Sequence, residues 1–333
     1  MHHLRRRHAL ILACCLQGAL STPAAALDTH RADVESFIAH MVTMDSFDAK
    51  TLRKLLGAAT SQPAIIAAMD KPAEKTLSWY QYRPIFLNEQ RIQEGVDFWR
   101  AHRRDLELSS ARTGVAPQTV VAILGVETYY GRLTGKYRVL DALSTLAFDY
   151  PARAPYFRRE LEQFLVLAHD QGIDPLKALG SYAGAMGAPQ FMPSAYLRYG
   201  MDASDDGHVD LWANWPDVFD SVGYFLKEHG WVTDGPVLDK AHVAAGGRPS
   251  PAGPDLALSS TVGSLEAEGV HIDDAPASDT PAMLIAADEA DGVAWRVGYA
   301  NFHAITRYNH SPLYAMAVCD LAAALRQRIQ GPP

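Results

Sequence analysis

Cysteine is scarce in this 333-residue chain. There are three, and two of them, Cys14 and Cys15, fall in an N-terminal leader. With Cys319 left alone, no internal disulfide forms, stability rests on packing, and thiol catalysis is a poor fit. Cys319 lies in an apolar helical pattern and reads as a small buried hydrophobe. Positive charge is scarce as well. Thirty Lys and Arg against 38 Asp and Glu give a formal net charge of −8, which offers no long-range attraction to nucleic acid. The common chemical signatures are missing too: no G-x-S-x-G elbow, no P-loop, no G-x-G-x-x-G and no H-E-x-x-H. The 13 histidines show no metal-ligand spacing. No internal repeat is evident. What remains is a chain with 48% hydrophobic residues, able to bury a sizeable core divided into two or three subdomains.

The first 26 residues read as an export signal. Arg5, Arg6 and Arg7 form a basic start, Ala9 to Leu20 is apolar, and Ala24-Ala25-Ala26 offers small residues for cleavage before Leu27. The apolar run is too short to span a bilayer. The expected location is therefore periplasmic, with cleavage after Ala26. The competing outcome is an outer-membrane lipoprotein through Cys14, from the imperfect lipobox Ile11-Leu12-Ala13-Cys14, whose apolar core would be short. Loss of the three leader arginines takes the net charge from −8 to −11.

Residues 27–113 read as a helical subdomain. Ser46 is placed to cap a segment carrying Leu52, Leu55 and Leu56. Ile92, Val96 and Trp99 repeat at helical spacing from about Asn88. Between them, Trp79 to Phe86 is dense in aromatics, as a core or a sugar-stacking surface would be. Residues 114–233 form the expected core. Pro117 suits the first turn of a helix that Gly131 ends. Pro151 and Pro155 bound a loop, and Leu161, Phe164, Leu165 and Ala168 line a helix from about Arg158 to Gln171. Residues 234–300 shift to Gly, Pro, Ser, Ala and Asp, as a small β-containing subdomain would. Trp295 to Ile305 is expected to supply a further strand. Residues 301–333 return to the core and end in a helix from Ser311 to Gln330, with Tyr314, Val318, Leu321 and Leu325 along one side.

Three stretches carry chemistry. In Val120 to Gly131 an apolar run ends in one carboxylate, Glu127. On a helix, Ile123 and Leu124 share its face. Desolvation of that kind favours the protonated form that a general acid requires; a structural glutamate satisfied by an arginine or a backbone amide is the alternative. Gly180 to Pro193 places three glycines and two prolines around a few polar side chains, either as backbone in close approach to a ligand or as a tight turn. Asp202 to Ala213 follows the order of an EF-hand loop, with oxygen at positions one, three and five and glycine at six. Position twelve, which should carry a bidentate carboxylate, is Ala213. Asn214 and Asp217 come too late unless the loop bulges.

Taken together these segments resemble the lytic murein transglycosylase B family (glycoside hydrolase family 103). Gly125-Val126-Glu127-Thr128 through Gly131 is similar to the family's catalytic segment. The likeness continues in Ala183 to Gly187, Gln190 to Ser194, the Asp202 loop into Leu211-Trp212, and Ile305 to Ser311. The resemblance implies a mainly α (α+β) fold, a lysozyme-like core flanked by a helical and a small β-containing subdomain. It implies peptidoglycan glycan strands as substrate, with cleavage between N-acetylmuramic acid and N-acetylglucosamine and no required cofactor. Glu127 takes the acid position, then as carboxylate accepts the proton of the sugar's own 6-hydroxyl, leaving a 1,6-anhydro end. Most glycosidases need two carboxylates at a set separation; an intramolecular nucleophile removes that need. By the same resemblance Ser181, Gln190, Tyr308 and Asn309 line the groove, with Tyr224, Tyr314 and Tyr82 at aromatic positions. Asp202, Ser204, Asp206, His208 (through its carbonyl) and Asp210 match a structural calcium loop, from which Ala213 departs. Ala188-Pro189 before Gln190 is a second departure. A hydrolysing muramidase and a non-catalytic peptidoglycan-binding scaffold are the alternatives.

Overall fold

Polar caps and first-turn prolines start most of the helices and set the frame of the molecule. The computed structural model describes residues 25–70, 77–247 and 249–331. The basic and apolar parts of the leader, with Cys14, lie outside the described residues. Ala25 and Ala26 do not: they form strand β1 (Ala25–Ala26), antiparallel to β2 (Thr60–Ser61).

The first helices are α1 (Ala32–Met44), α2 (Ala49–Gly57) and α3 (Pro63–Met69). Asp48, not Ser46, caps α2, its carboxylate accepting the Thr51 N–H at 2.7 Å. Ser46 stands at φ 58, in the left-handed region, whereas an N-cap needs extended backbone. There follow α4 (Trp79–Phe86), α5 (Glu89–Ala101) and α6 (Arg103–Thr113). Trp79 and Tyr82 are buried, so the aromatic cluster faces the core. Asn88 caps α5, accepting from the Arg91 N–H at 3.0 Å.

Next come α7 (Pro117–Thr128), β3 (Tyr137–Arg138), α8 (Val139–Phe148) and α9 (Ala154–Asp170). Helix α9 starts before the expected Arg158. Pro155 sits in its first turn, where a missing N–H costs nothing, so it opens the helix instead of bounding a loop. Strand β4 (Leu179–Gly180) pairs with β3, and α10 (Pro193–Tyr199) and α11 (Trp215–Glu228) follow.

The Gly- and Pro-rich region builds β5 (Leu238–Val243), β6 (Ser260–Thr261), α12 (Val262–Ala267), β7 (Val270–Ile272), β8 (Pro281–Glu289) and β9 (Gly292–Gly298). The strands make one antiparallel sheet in the order β6-β8-β9-β5-β7. The strand expected over Trp295 to Ile305 is divided. β9 stops at Gly298, where a side chain would meet the Phe302 ring, and α13 (Ala300–Tyr308) begins. Asn301 fixes that start, accepting from Val232 N at 2.7 Å and donating to the carbonyls of Val232 and Gly235, both at 2.9 Å. Ser311 caps the last helix, α14 (Pro312–Gln330).

The fold is thus mainly α with one small sheet. A single core cluster runs from α1 to α14 and includes Met283, Ile285 and Ala287 on one face of β8. Leu284, Val297 and Ala241 on the other face pack with Val262 and Leu265 of α12 as a second, smaller cluster. Helix α14 packs against α4, α5, α7 and α13, and this is what brings the end of the chain to Glu127.

Candidate active site

Helix α7 is held by its apolar run. Val120 to Leu124 are at most 1% exposed, and full burial of each large aliphatic side chain is worth about 1.5–3 kcal/mol. The helix then ends abruptly: Tyr129, Tyr130 and Gly131 take φ values of 53, 60 and 81. Two left-handed tyrosines are costly, roughly 1–2 kcal/mol each, and packing holds them there. The Tyr130 ring fills space that a side chain at Gly95 or Gly125 would occupy, and its hydroxyl donates to the Arg91 carbonyl at 2.9 Å. The buried Thr128 hydroxyl accepts the Gly131 N–H at 3.0 Å and donates to the Ala188 carbonyl at 2.8 Å. One residue earlier, Glu127 is half-buried at the helix end.

Helix α14 supplies the partner. The Tyr314 hydroxyl donates to Glu127 Oε1 at 2.7 Å, and Tyr314 is 2% exposed. The Tyr308 ring lies parallel to that of Tyr314, centroids 6.4 Å apart, and its hydroxyl donates to the Pro189 carbonyl at 2.6 Å. Burial first, and then the Glu127 charge, push both phenols well above their usual pKa of 10, so both remain protonated donors. Tyr82, 2% exposed on α4, is close enough to Tyr314 to add to that upward push.

The Gly180–Pro193 segment forms the wall opposite. Met186 bridges to both Gly180 and Phe191. Gln190, at φ 53, is pinned through its amide nitrogen to the carbonyls of Gly187 (2.9 Å) and Thr134 (3.1 Å). The Ser181 hydroxyl oxygen accepts the amides of Ala183 and Ala185, keeping its O–H to donate. Asn309 ends α13 directly after Tyr308. Tyr224 stands one step back: its ring meets Tyr199 at 6.4 Å, while its neighbour Phe225 packs on Tyr308. Glu127, Tyr82, Tyr308 and Tyr314 therefore converge, Gln190 and Asn309 adjoin them as chain neighbours of Pro189 and Tyr308, and the contacts of Ser181 and Tyr224 are those to Ala183 and Ala185 and to Tyr199.

Thr128 and Arg91 escaped the sequence reading. Arg91 bonds the Gly125 carbonyl and its guanidinium lies 4.3 Å from the centre of the Tyr129 ring, gripping the C-terminal end of α7. An arginine 34 residues away on an amphipathic helix carries no local signal of this role.

The family profile described as "Transglycosylase SLT domain" matches residues 29–323. The membrane-bound lytic murein transglycosylase B of Escherichia coli K12 is 39% identical over 302 residues, covering 88% of this chain and 82% of its own. The chain belongs to the lytic murein transglycosylase B family. Two solved structures share the fold. Soluble lytic transglycosylase SltB1 from Pseudomonas aeruginosa has 41% identity and a TM-score of 0.82, over 89% of this chain and 99% of its own. Lytic transglycosylase Slt35 from Escherichia coli, in complex with calcium, has 38% identity and a TM-score of 0.84, over 92% and 97%.

In this lytic transglycosylase two cavities of about 990 and 680 Å³ are lined by residues that do not include Glu127. The chemistry at the end of α7, not cavity size, marks the site.

The Asp202 loop does bulge. Asp217, fully buried on α11, reaches back into it and accepts the amides of Ala203 (2.9 Å), Ser204 (3.2 Å) and Asp210 (2.9 Å). Asn214 donates to the Ser204 hydroxyl at 2.8 Å. Asp202 accepts the amides of Asp206 and Gly207, Asp206 that of His208, and Asp210 those of Trp212 and Ala213. Burial pushes the Asp217 carboxyl up while these amides pull it down. Backbone donors thus order the loop while its carboxylates keep further lone pairs, and no group of three or more His, Cys, Asp or Glu able to hold a metal ion is found among the described residues. The donors do not form a finished calcium cage, and no chemistry here depends on one.

Proposed function

We propose that this lytic transglycosylase cleaves the β-1,4 bond between N-acetylmuramic acid and N-acetylglucosamine of peptidoglycan, with Glu127 as its sole acid and base. The carrying observation is geometric: one carboxylate, Glu127, stands half-buried at the end of α7 and is held at 2.7 Å by the hydroxyl of the buried Tyr314, with the Tyr308 ring parallel to it. Protonated Glu127 gives its proton to the glycosidic oxygen as the bond to the anomeric carbon breaks. The carboxylate formed is stabilised by the Tyr314 hydroxyl. It then takes the proton of the muramic 6-hydroxyl as that oxygen attacks the anomeric carbon. A 1,6-anhydro end results, water is not consumed, and Glu127 returns protonated. Ser181, Gln190, Asn309 and Tyr308 orient the sugar groups and Tyr224 supplies ring surface, while the buried Tyr82 and Tyr314 back the groove from within.

The test is digestion of purified sacculi with mass measurement of the fragments. Anhydro muropeptides, one water lighter than hydrolysed ones, are expected; predominantly reducing-end products would instead identify a hydrolysing muramidase. Glu127→Gln keeps the shape and removes the acid, with an expected loss of about 10²–10⁴-fold. Unchanged turnover in that variant would remove Glu127 from the mechanism, and strand binding without turnover in the wild type would favour the scaffold reading.

The protein acts in the periplasm in this reading, with its units at 27–113, 114–233, 234–300 and 301–333. Among the described residues no helix is long and apolar enough to cross a membrane. Mass spectrometry of the mature N-terminus separates cleavage after Ala26 from lipidation at Cys14.

A further inference from the structure

The 990 Å³ cleft is basic in an otherwise acidic protein. It opens between one face of the sheet and helices α4, α5 and α14. At its floor, Asp320 of α14 receives two guanidinium groups: Arg296 through two bonds of 2.5 and 3.1 Å, and Arg83 at 3.0 Å. One carboxylate against two guanidiniums leaves one positive charge over. The Arg296 side chain is only 13% exposed, lies 5.4 Å from the Trp79 ring centre and holds Asp320 through two bonds, so the excess falls on Arg83, whose side chain is 46% exposed. Lys240 lies directly opposite Arg296 in the β5–β9 register and lines the same cleft, as does His242. Like charges directly opposite on paired strands are destabilising. Glu289 is the one other acid lining the cleft. Local conflicts of this kind are expected where a ligand resolves them.

We propose that this cleft binds the acidic stem peptide borne by the glycan strand, its carboxylates meeting Arg83, Lys240 and Arg296. The proposal rests on the transglycosylase reading above and extends it to substrate choice. The geometry allows it. Tyr314 at Glu127 and Asp320 in the cleft are six residues apart on α14, about 9 Å along the axis and roughly 120° around it. A four-residue peptide extends about 13 Å, and the lactyl link to the muramic ring lengthens that reach, so a peptide borne by a ring at Glu127 must round the helix to enter the cleft. Leu87 and Ile92 offer apolar wall to the alanine methyls.

The experiment uses a Lys240→Gln, Arg83→Gln double variant, which leaves Arg296 to hold Asp320. Kinetics are compared on peptide-bearing strands and on strands stripped by an amidase. Free L-Ala-D-Glu-diaminopimelate-D-Ala binding is measured by calorimetry. The expected result is a KM raised roughly 5–30-fold on peptide-bearing strands only, as the loss of two partly exposed charge contacts would give. Its kcat and its kinetics on stripped strands stay at wild-type values, and tetrapeptide binding to the wild type is lost in the variant. Equal effects on both strands, no effect on either, or no tetrapeptide binding to the wild type would overturn the proposal. Wild-type protein that yields no anhydro product from either strand would refute the transglycosylase reading instead, and calorimetry would still decide the cleft.

Discussion

Replacing Tyr314 with phenylalanine removes one oxygen and with it the 2.7 Å bond to Glu127. The ring stays parallel to Tyr308 and buried, so the groove keeps its shape. A hydrogen bond to a charged group is worth about 1.5–3 kcal/mol, and one between neutral partners about half that. Glu127 begins the reaction as a neutral acid and becomes a carboxylate as the glycosidic bond breaks. The phenol therefore stabilises the transition state over the ground state by about 0.8–1.5 kcal/mol. At 1.36 kcal/mol per tenfold, kcat should fall roughly 4–13-fold with KM little changed. Burial and the Glu127 charge hold the Tyr314 phenol well above pKa 10, so it stays protonated across the working range. Initial rates on purified sacculi, with near-ultraviolet circular dichroism to verify the fold, provide the assay. Wild-type kcat in Tyr314→Phe, or a loss carried entirely by KM, would refute the reasoning.

Thr128→Val leaves the Gly131 N–H and the Ala188 carbonyl buried without this partner, at about 1–3 kcal/mol each. Urea denaturation should show a loss of about 2–5 kcal/mol that Thr128→Ser restores; a change below about 0.5 kcal/mol would mean the hydroxyl bridge is dispensable. Calcium added to chelator-treated protein should raise Tm by less than about 2 °C, because backbone amides already close the Asp202 loop. A large rise would show that Asp202, Asp206 and Asp217 rearrange around the ion.

Local features were legible and distant ones were not. Pro117 and the apolar run before Glu127 act within one helix, and periodicity alone placed the carboxylate at its end. Tyr308 and Tyr314 reached the site through family resemblance, since their approach to Glu127 comes from α14 docking on α7, 187 residues along the chain in the case of Tyr314. The Trp295–Ile305 stretch is apolar enough for either strand or helix, and the turn at Gly298 decides only once Phe302 packs. Asp217 was set aside because loop counting assumes fixed spacing, and Ser46 was preferred to Asp48 as the cap because a serine before a helix does not reveal its own backbone angles.

The hydrogen bond between α7 and α14 also sets when activity can begin. A chain made from its N-terminus presents Glu127 long before Tyr314, and the last helix must dock before that contact exists. Every partly synthesised chain lacks the donor that steadies the carboxylate, as does any chain clipped before residue 314. A wall-degrading enzyme assembled this way reaches its full rate only once the last helix has docked.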